Sequence, residues 1–187
     1  EKLDLAADPY LNLYNEYFGG GMNAIVFQEM REARGLAYSS SARLYMPSHK
    51  EDTYMYYAFI ATQNDKMETA IEAFDEIINE MPESETAFGI AKEALISRIR
   101  TDRVSDRQII SSYIGSRELG LTEPRAKQIF EVAQTLTLDD VKATQQEWVK
   151  NRKYVYGILG DIKDLDTDYL KTLGPIQTLT LEEIFGY

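Results

Sequence analysis

The order of elements legible in the sequence predicts an α+β fold, with a mostly antiparallel sheet packed against several helices. Three observations carry this. Apolar residues recur every three and four positions from Lys66 to Met81 (Met67, Ala70, Ile71, Phe74, Ile77, Ile78), the period of an amphipathic helix. Two Tyr-rich runs flank the polar stretch Pro47 to Asp52, as the arms of a hairpin flank its turn. The chain has 187 residues, the size of one domain, and no linker, low-complexity stretch or internal repeat divides it.

The elements follow in order. Asp8 before Pro9 reads as an N-cap followed by proline at the first helical position, and the helix runs through Tyr10 to Phe18. Gly19-Gly20-Gly21 stops it. A second helix spans about Asn23 to Ala33, with Arg31 and Arg34 in its last turn and Gly35 ending it. Ala37 to Tyr45 and Thr53 to Ala61 are the hairpin strands. After the Lys66–Met81 helix, Pro82 breaks the pattern and Ser84 caps a helix from Glu85 to about Arg103. Further helices run from Ser105 or Asp106 to near Gly120, from Thr122-Glu123-Pro124 to about Leu136, and from the Thr137 cap to about Asn151. Tyr154 to Leu159 reads as a buried strand ending at Gly160, expected in the same sheet as the hairpin. A short helix lies around Leu165 to Leu173. Three strands are few for so many helices, so the sheet is expected to keep an exposed edge open to self-association.

Composition narrows the function classes. A net charge of −11 repels phosphate backbones and anionic lipids, which argues against nucleic-acid and membrane partners and would favour basic peptides. The absence of cysteine excludes disulfides and thiolate metal sites but leaves the compartment undefined. The single histidine, His49, lies in the polar turn and reads as a solvated turn residue, whereas zinc hydrolysis sites usually take two or three His ligands. No catalytic zinc is therefore expected in this chain. Gly19 to Gly21 are not followed by the Lys-Ser/Thr of a phosphate loop and read as a helix-to-helix turn.

The stretch Tyr14 to Tyr38, with Phe18-Gly19-Gly20-Gly21-Met22 and Phe27-Gln28-Glu29-Met30-Arg31-Glu32-Ala33-Arg34-Gly35-Leu36-Ala37-Tyr38 at its heart, resembles a signature of the pitrilysin/insulinase zinc peptidases and their non-catalytic repeats. Leu138-Asp139-Asp140-Val141 with Tyr154 to Asp161 resembles the family's closing helix and strand, and Leu181 to Tyr187 looks like the C-terminus of long bacterial members. The resemblance implies α+β repeats arranged as two halves around a closed chamber. The first repeat of such a protein holds zinc through His-x-x-Glu-His, a motif this sequence lacks. It implies that residues 1–187 are one C-terminal, non-catalytic repeat of a longer chain, without the family's first strands and without a cofactor of its own. Zinc would sit in the parent protein's catalytic repeat, and the partners would be a peptide substrate and the other repeats.

Within that resemblance, Arg31 and Tyr38, separated by six residues, occupy the positions of a family Arg and Tyr that reach the active site. Tyr38 is the candidate catalytic residue, a phenol donor to the developing oxyanion; Arg31 is the candidate substrate-binding residue. Both are expected to be partly exposed and close together, with Phe27 and Met30 buried. The alternative class is a structural or interaction module related to the family's non-peptidase scaffold members in respiratory complexes.

Overall fold

The computed structural model describes residues 3–103 and 105–186. Helix α1 (Asp8–Phe18) forms the centre, packed against strand β1 (Ser39–Tyr45) and helices α4 (Glu85–Thr101), α6 (Arg125–Ala133) and α7 (Leu138–Trp148). Because neighbours surround it, Leu11, Leu13, Tyr14, Tyr17 and Phe18 are all buried, and α1 is apolar around most of its circumference. Asp8 is not the cap expected from the sequence. It lies inside the first turn behind Ala7, fully buried, and its carboxylate receives Arg125 Nε and, at 2.6 Å, Arg125 Nη2. A carboxylate buried this completely requires a paired cation, and the arginine of α6 supplies a two-pronged one.

After the glycines, α2 (Ile25–Phe27) passes directly into a π-helical stretch, Gln28–Ala33. Strand β1 pairs antiparallel with β2 (Met55–Ala61), Ser39 opposite Ala61 and Tyr45 opposite Met55. Ala42 and Leu44 point into the core; Ser41, Arg43, Tyr45, Tyr57 and Phe59 form an exposed face. Helix α3 (Met67–Asn79) buries the predicted stripe, Met67, Ala70, Ile71, Phe74, Ile77 and Ile78. Ser84 caps α4 by accepting from Ala87 N at 3.1 Å, and Thr137 caps α7 with Asp140 as reciprocal partner. Beyond these lie α5 (Asp106–Glu118), α8 (Thr167–Leu173) and α9 (Leu181–Phe185).

The fold is α+β, as the pattern predicts. The expected strand at Tyr154–Leu159 is a correction. Among the described residues the sheet has only β1 and β2. Residues 154–159 form neither helix nor strand and are not buried as expected, with Val155 and Leu159 fully exposed; a cleft of about 640 Å³ lies between them and β2. Met67, Ile71 and Phe74 of α3 line that cleft. The segment docks on the helices through side chains instead of onto the sheet through its backbone. Tyr154 Oη donates to Val149 O (2.6 Å), Tyr156 Oη donates to Asp75 Oδ2 (2.8 Å), and the Tyr154 ring lies 5.7 Å from that of Tyr56. Backbone becomes a strand only with a partner edge within hydrogen-bonding distance.

Burial raises the phenol pKa values of Tyr14 and Tyr56, and raises that of Tyr154 to about 12. The folded state thus favours the neutral phenols. Their contribution is fully present below the unfolded value of about 10 and is lost as pH rises through the folded values. The melting temperature should stay level from pH 8 to just below 10 and fall steeply between about 10 and 12, with a shallower fall in Tyr154→Phe. Equal slopes in the two proteins would contradict this assignment.

Candidate functional site

The candidate site is the edge between the π-helical stretch and the start of β1. The π geometry appears in the bond from Arg34 N to Glu29 O, 3.2 Å, which spans five residues. The chain then turns sharply. Gly35 has φ +58°, in the left-handed region, and both Leu36 N and Ala37 N donate to Met30 O, at 2.9 and 3.2 Å. Thr62 Oγ1 donates to Leu36 O at 2.6 Å, and Tyr38 N donates to Ala61 O at 3.1 Å, so the turn is delivered straight onto the hairpin. Arg34 fixes the same segment to α3 through two bonds to Glu76, 2.8 and 3.1 Å, which hold the Glu76 carboxyl below its usual range.

This geometry brings the two sequence-predicted residues together. The Arg31 guanidinium lies over the Tyr38 ring at 5.5 Å and over the Phe27 ring at 5.0 Å. Its side chain is 44% exposed, and Tyr38 is 83% exposed. Glu32 is the Arg31 ion-pair partner, at a loose 3.7 Å. A guanidinium held over ring faces keeps N–H groups that can donate to a ligand oxygen or to water. The edge therefore presents a phenol donor and a fork of cationic donors, side by side, to whatever lies outside.

Met30 is buried as expected, but Phe27 is only half-buried. Its ring is turned to Arg31 instead of inward, a role the sequence signals only by the four-residue spacing that puts the two on one helix face. The π-helical stretch and the Arg34–Glu76 fork have no sequence signal of comparable clarity. His49 sits on the hairpin turn, exposed, with Nδ1 3.1 Å from Asp52 Oδ2. Among the described residues no group of three or more His, Asp or Glu side chains is placed to hold a metal ion.

The family model of the peptidase M16 inactive domain matches residues 3–95. Over those residues the chain is similar to the peptidase M16 inactive-domain family. The matched M16 segment contains α1, the glycine turn, Arg31, Tyr38, the hairpin and α3. A crystal structure of a peptidase M16 inactive domain from Pseudomonas fluorescens aligns with a TM-score of 0.62 at 19% identity. It covers 78% of this chain, so the likeness in fold extends past residue 95, while this chain spans 35% of that one. No curated protein matches the chain.

Gly35 offers a clean test of how the M16 segment sets this edge. A Cβ there meets nothing within 4 Å, so only the backbone conformation resists substitution. Gly35→Ala should lower unfolding free energy by about 1 kcal/mol, while Gly35→Asn, which tolerates positive φ better, should cost less. Denaturant unfolding curves of the three proteins measure this directly; an Ala variant as stable as wild type would contradict the observed turn.

Proposed function

We propose that this chain is a non-catalytic repeat of a zinc metalloendopeptidase-like M16 protein. In this reading it closes the peptide-binding chamber and presents Tyr38 and Arg31 to substrate opposite a zinc site held in another repeat. The observation that carries the reading is the pairing of an 83% exposed Tyr38 with the Arg31 guanidinium at the lip of an otherwise closely packed M16 segment. A structural role would not require so solvent-exposed a tyrosine at the mouth of the hairpin to hold an arginine at its face.

The chemistry follows from the donors. When activated water adds to a peptide carbonyl, charge accumulates on the oxygen. A phenol O–H bonds that oxygen more strongly than it bonds the ground-state carbonyl, and so lowers the barrier. Arg31, held by Phe27 and Tyr38, grips substrate carbonyls in ground and transition state alike. Zinc held by another repeat would supply the activated water. The outer edge of β2, facing the cleft, is open to pairing with a neighbouring repeat or a second copy.

In the complete peptidase, Tyr38→Phe should lower kcat by up to about 10²–10³-fold, and Arg31→Ala should raise KM as well. Zinc content should be unchanged, and stability should shift by no more than about 1 kcal/mol. Steady-state kinetics, metal analysis and thermal melts on the three proteins test this together. Wild-type kinetics in both variants would sink the roles assigned; lost activity accompanied by unfolding would return both residues to a purely structural part.

A further inference from the structure

Helix α5 stands apart from the packing described so far. Asp106–Glu118 contains no buried residue, and Ile109, Ile110, Tyr113 and Ile114 are each between 48% and 69% exposed. A helix of 13 residues is marginal in water unless an apolar face is packed. Burial is confined to its C-terminal end, where Gly115 and Ser116 are half-buried and Leu119, just past the helix, is buried. Its first turns project from the body. At the start, Ser105 N donates to Gln108 Oε1 at 3.1 Å, so the helix begins at a defined point.

The residues on the projecting face are not arranged at random. Asp106, Ile110, Tyr113 and Arg117 follow one another at intervals of four, three and four, a single stripe along the helix. The stripe has an acid at its N-terminal end, a base at its C-terminal end, and apolar residues between, with Ile109 and Ile114 alongside. Among the described residues neither Asp106 nor Arg117 has an ion-pair partner.

We infer that α5 is a self-association surface, pairing antiparallel with α5 of a second copy about a two-fold axis. The axis passes between Ser111 and Ser112. About that midpoint Asp106 is placed opposite the partner copy's position 117, Ile110 opposite position 113, and Ile109 opposite position 114. Along the stripe and its flanks the acid then meets a base and each apolar residue an apolar one, twice over, as a two-fold contact demands. A parallel, in-register pairing would instead set Asp106 on Asp106 and Arg117 on Arg117. Charge complementarity therefore selects both the occupant and its orientation. The contact is small, so the pair is weak, with a dissociation constant on the order of tens of micromolar.

Sedimentation equilibrium of the full chain from about 1 to about 500 µM, with Asp106→Arg and Arg117→Asp variants, tests this. Wild type should show a monomer–dimer equilibrium. Each variant alone should dimerise at least about tenfold more weakly, because both end pairs become like-charged. An equimolar mixture of the two variants should recover dimerisation to within about threefold of wild type, since each reversed charge then faces its opposite. This recovery cannot come from a damaged fold. A strictly monomeric wild type would overturn the proposal and leave α5 to a different partner. Dimerisation alike in all four samples would also overturn it and assign the contact to the β2 edge, and so would a mixture no stronger than its components.

Discussion

The side-chain amide of Asn15 occupies the outer edge of β1. Asn15 is buried, its Nδ2 donates to Leu44 O at 2.9 Å, and its Oδ1 accepts from Leu44 N at 2.8 Å. It does for that strand what a neighbouring strand would do. Without it, two backbone groups in the core would lack partners, each at a cost of about 1–3 kcal/mol. One turn on, Gly19 continues the same contact: a Cβ there would fall 1.8 Å from Ala42 O. Amide and glycine together let α1 lie directly on β1. Such close seating makes α1 the wall on which the hairpin, α4, α6 and α7 are assembled.

The candidate site depends on that wall. The glycine turn leaves α1 at Gly19, α2 and the π-helical stretch return the chain with Ile25, Val26 and Met30 buried against the same core, and the turn at Gly35 leads from that stretch into β1. Arg31 and Tyr38 are thus attached at both ends to elements held by Asn15 and Gly19, and Arg34 binds the segment to α3 from a third side. The result is a pre-set pair of donors on a rigid support, with only the donors themselves in solvent. On the proposed reading, such a support is the physical means by which this chain would contribute to chemistry organised in another repeat.

Much of this was legible from residues alone. The stripe from Met67 to Ile78 specified α3 because a strand alternates every two residues and a loop has no period, whereas this stripe repeats at three and four. Ser84 and Thr137 announced helix starts because their hydroxyls have a specific backbone partner to satisfy. The Tyr-rich runs around Pro47 to Asp52 specified the hairpin. What failed were properties of tertiary neighbours. Asp8 looked like a cap and is instead the buried partner of Arg125, 117 residues away. Tyr154 to Leu159 read as a buried strand, but pairing and burial both depend on an edge that lies across a cleft, and residues 155–159 are exposed. Gly19 was legible as a helix stop; that it also clears a path for Ala42 was not. At the site, Arg31 and Tyr38 stood out through family resemblance, not through spacing, and Phe27 was read as core because its support of Arg31 requires knowing where the guanidinium lies.

We propose that Arg31 and Tyr38 form one peptide-contacting edge. Nuclear magnetic resonance of the full chain, with labelled tyrosine rings and arginine Nε–H groups, addresses it most directly. An unstructured ten-residue peptide carrying two lysines is titrated in. The account predicts saturable shifts at the Tyr38 ring and Arg31 Nε–H that follow one binding curve, with the buried Tyr14 and Tyr17 unchanged. Shifts confined to other residues, or separate curves for Arg31 and Tyr38, would contradict it.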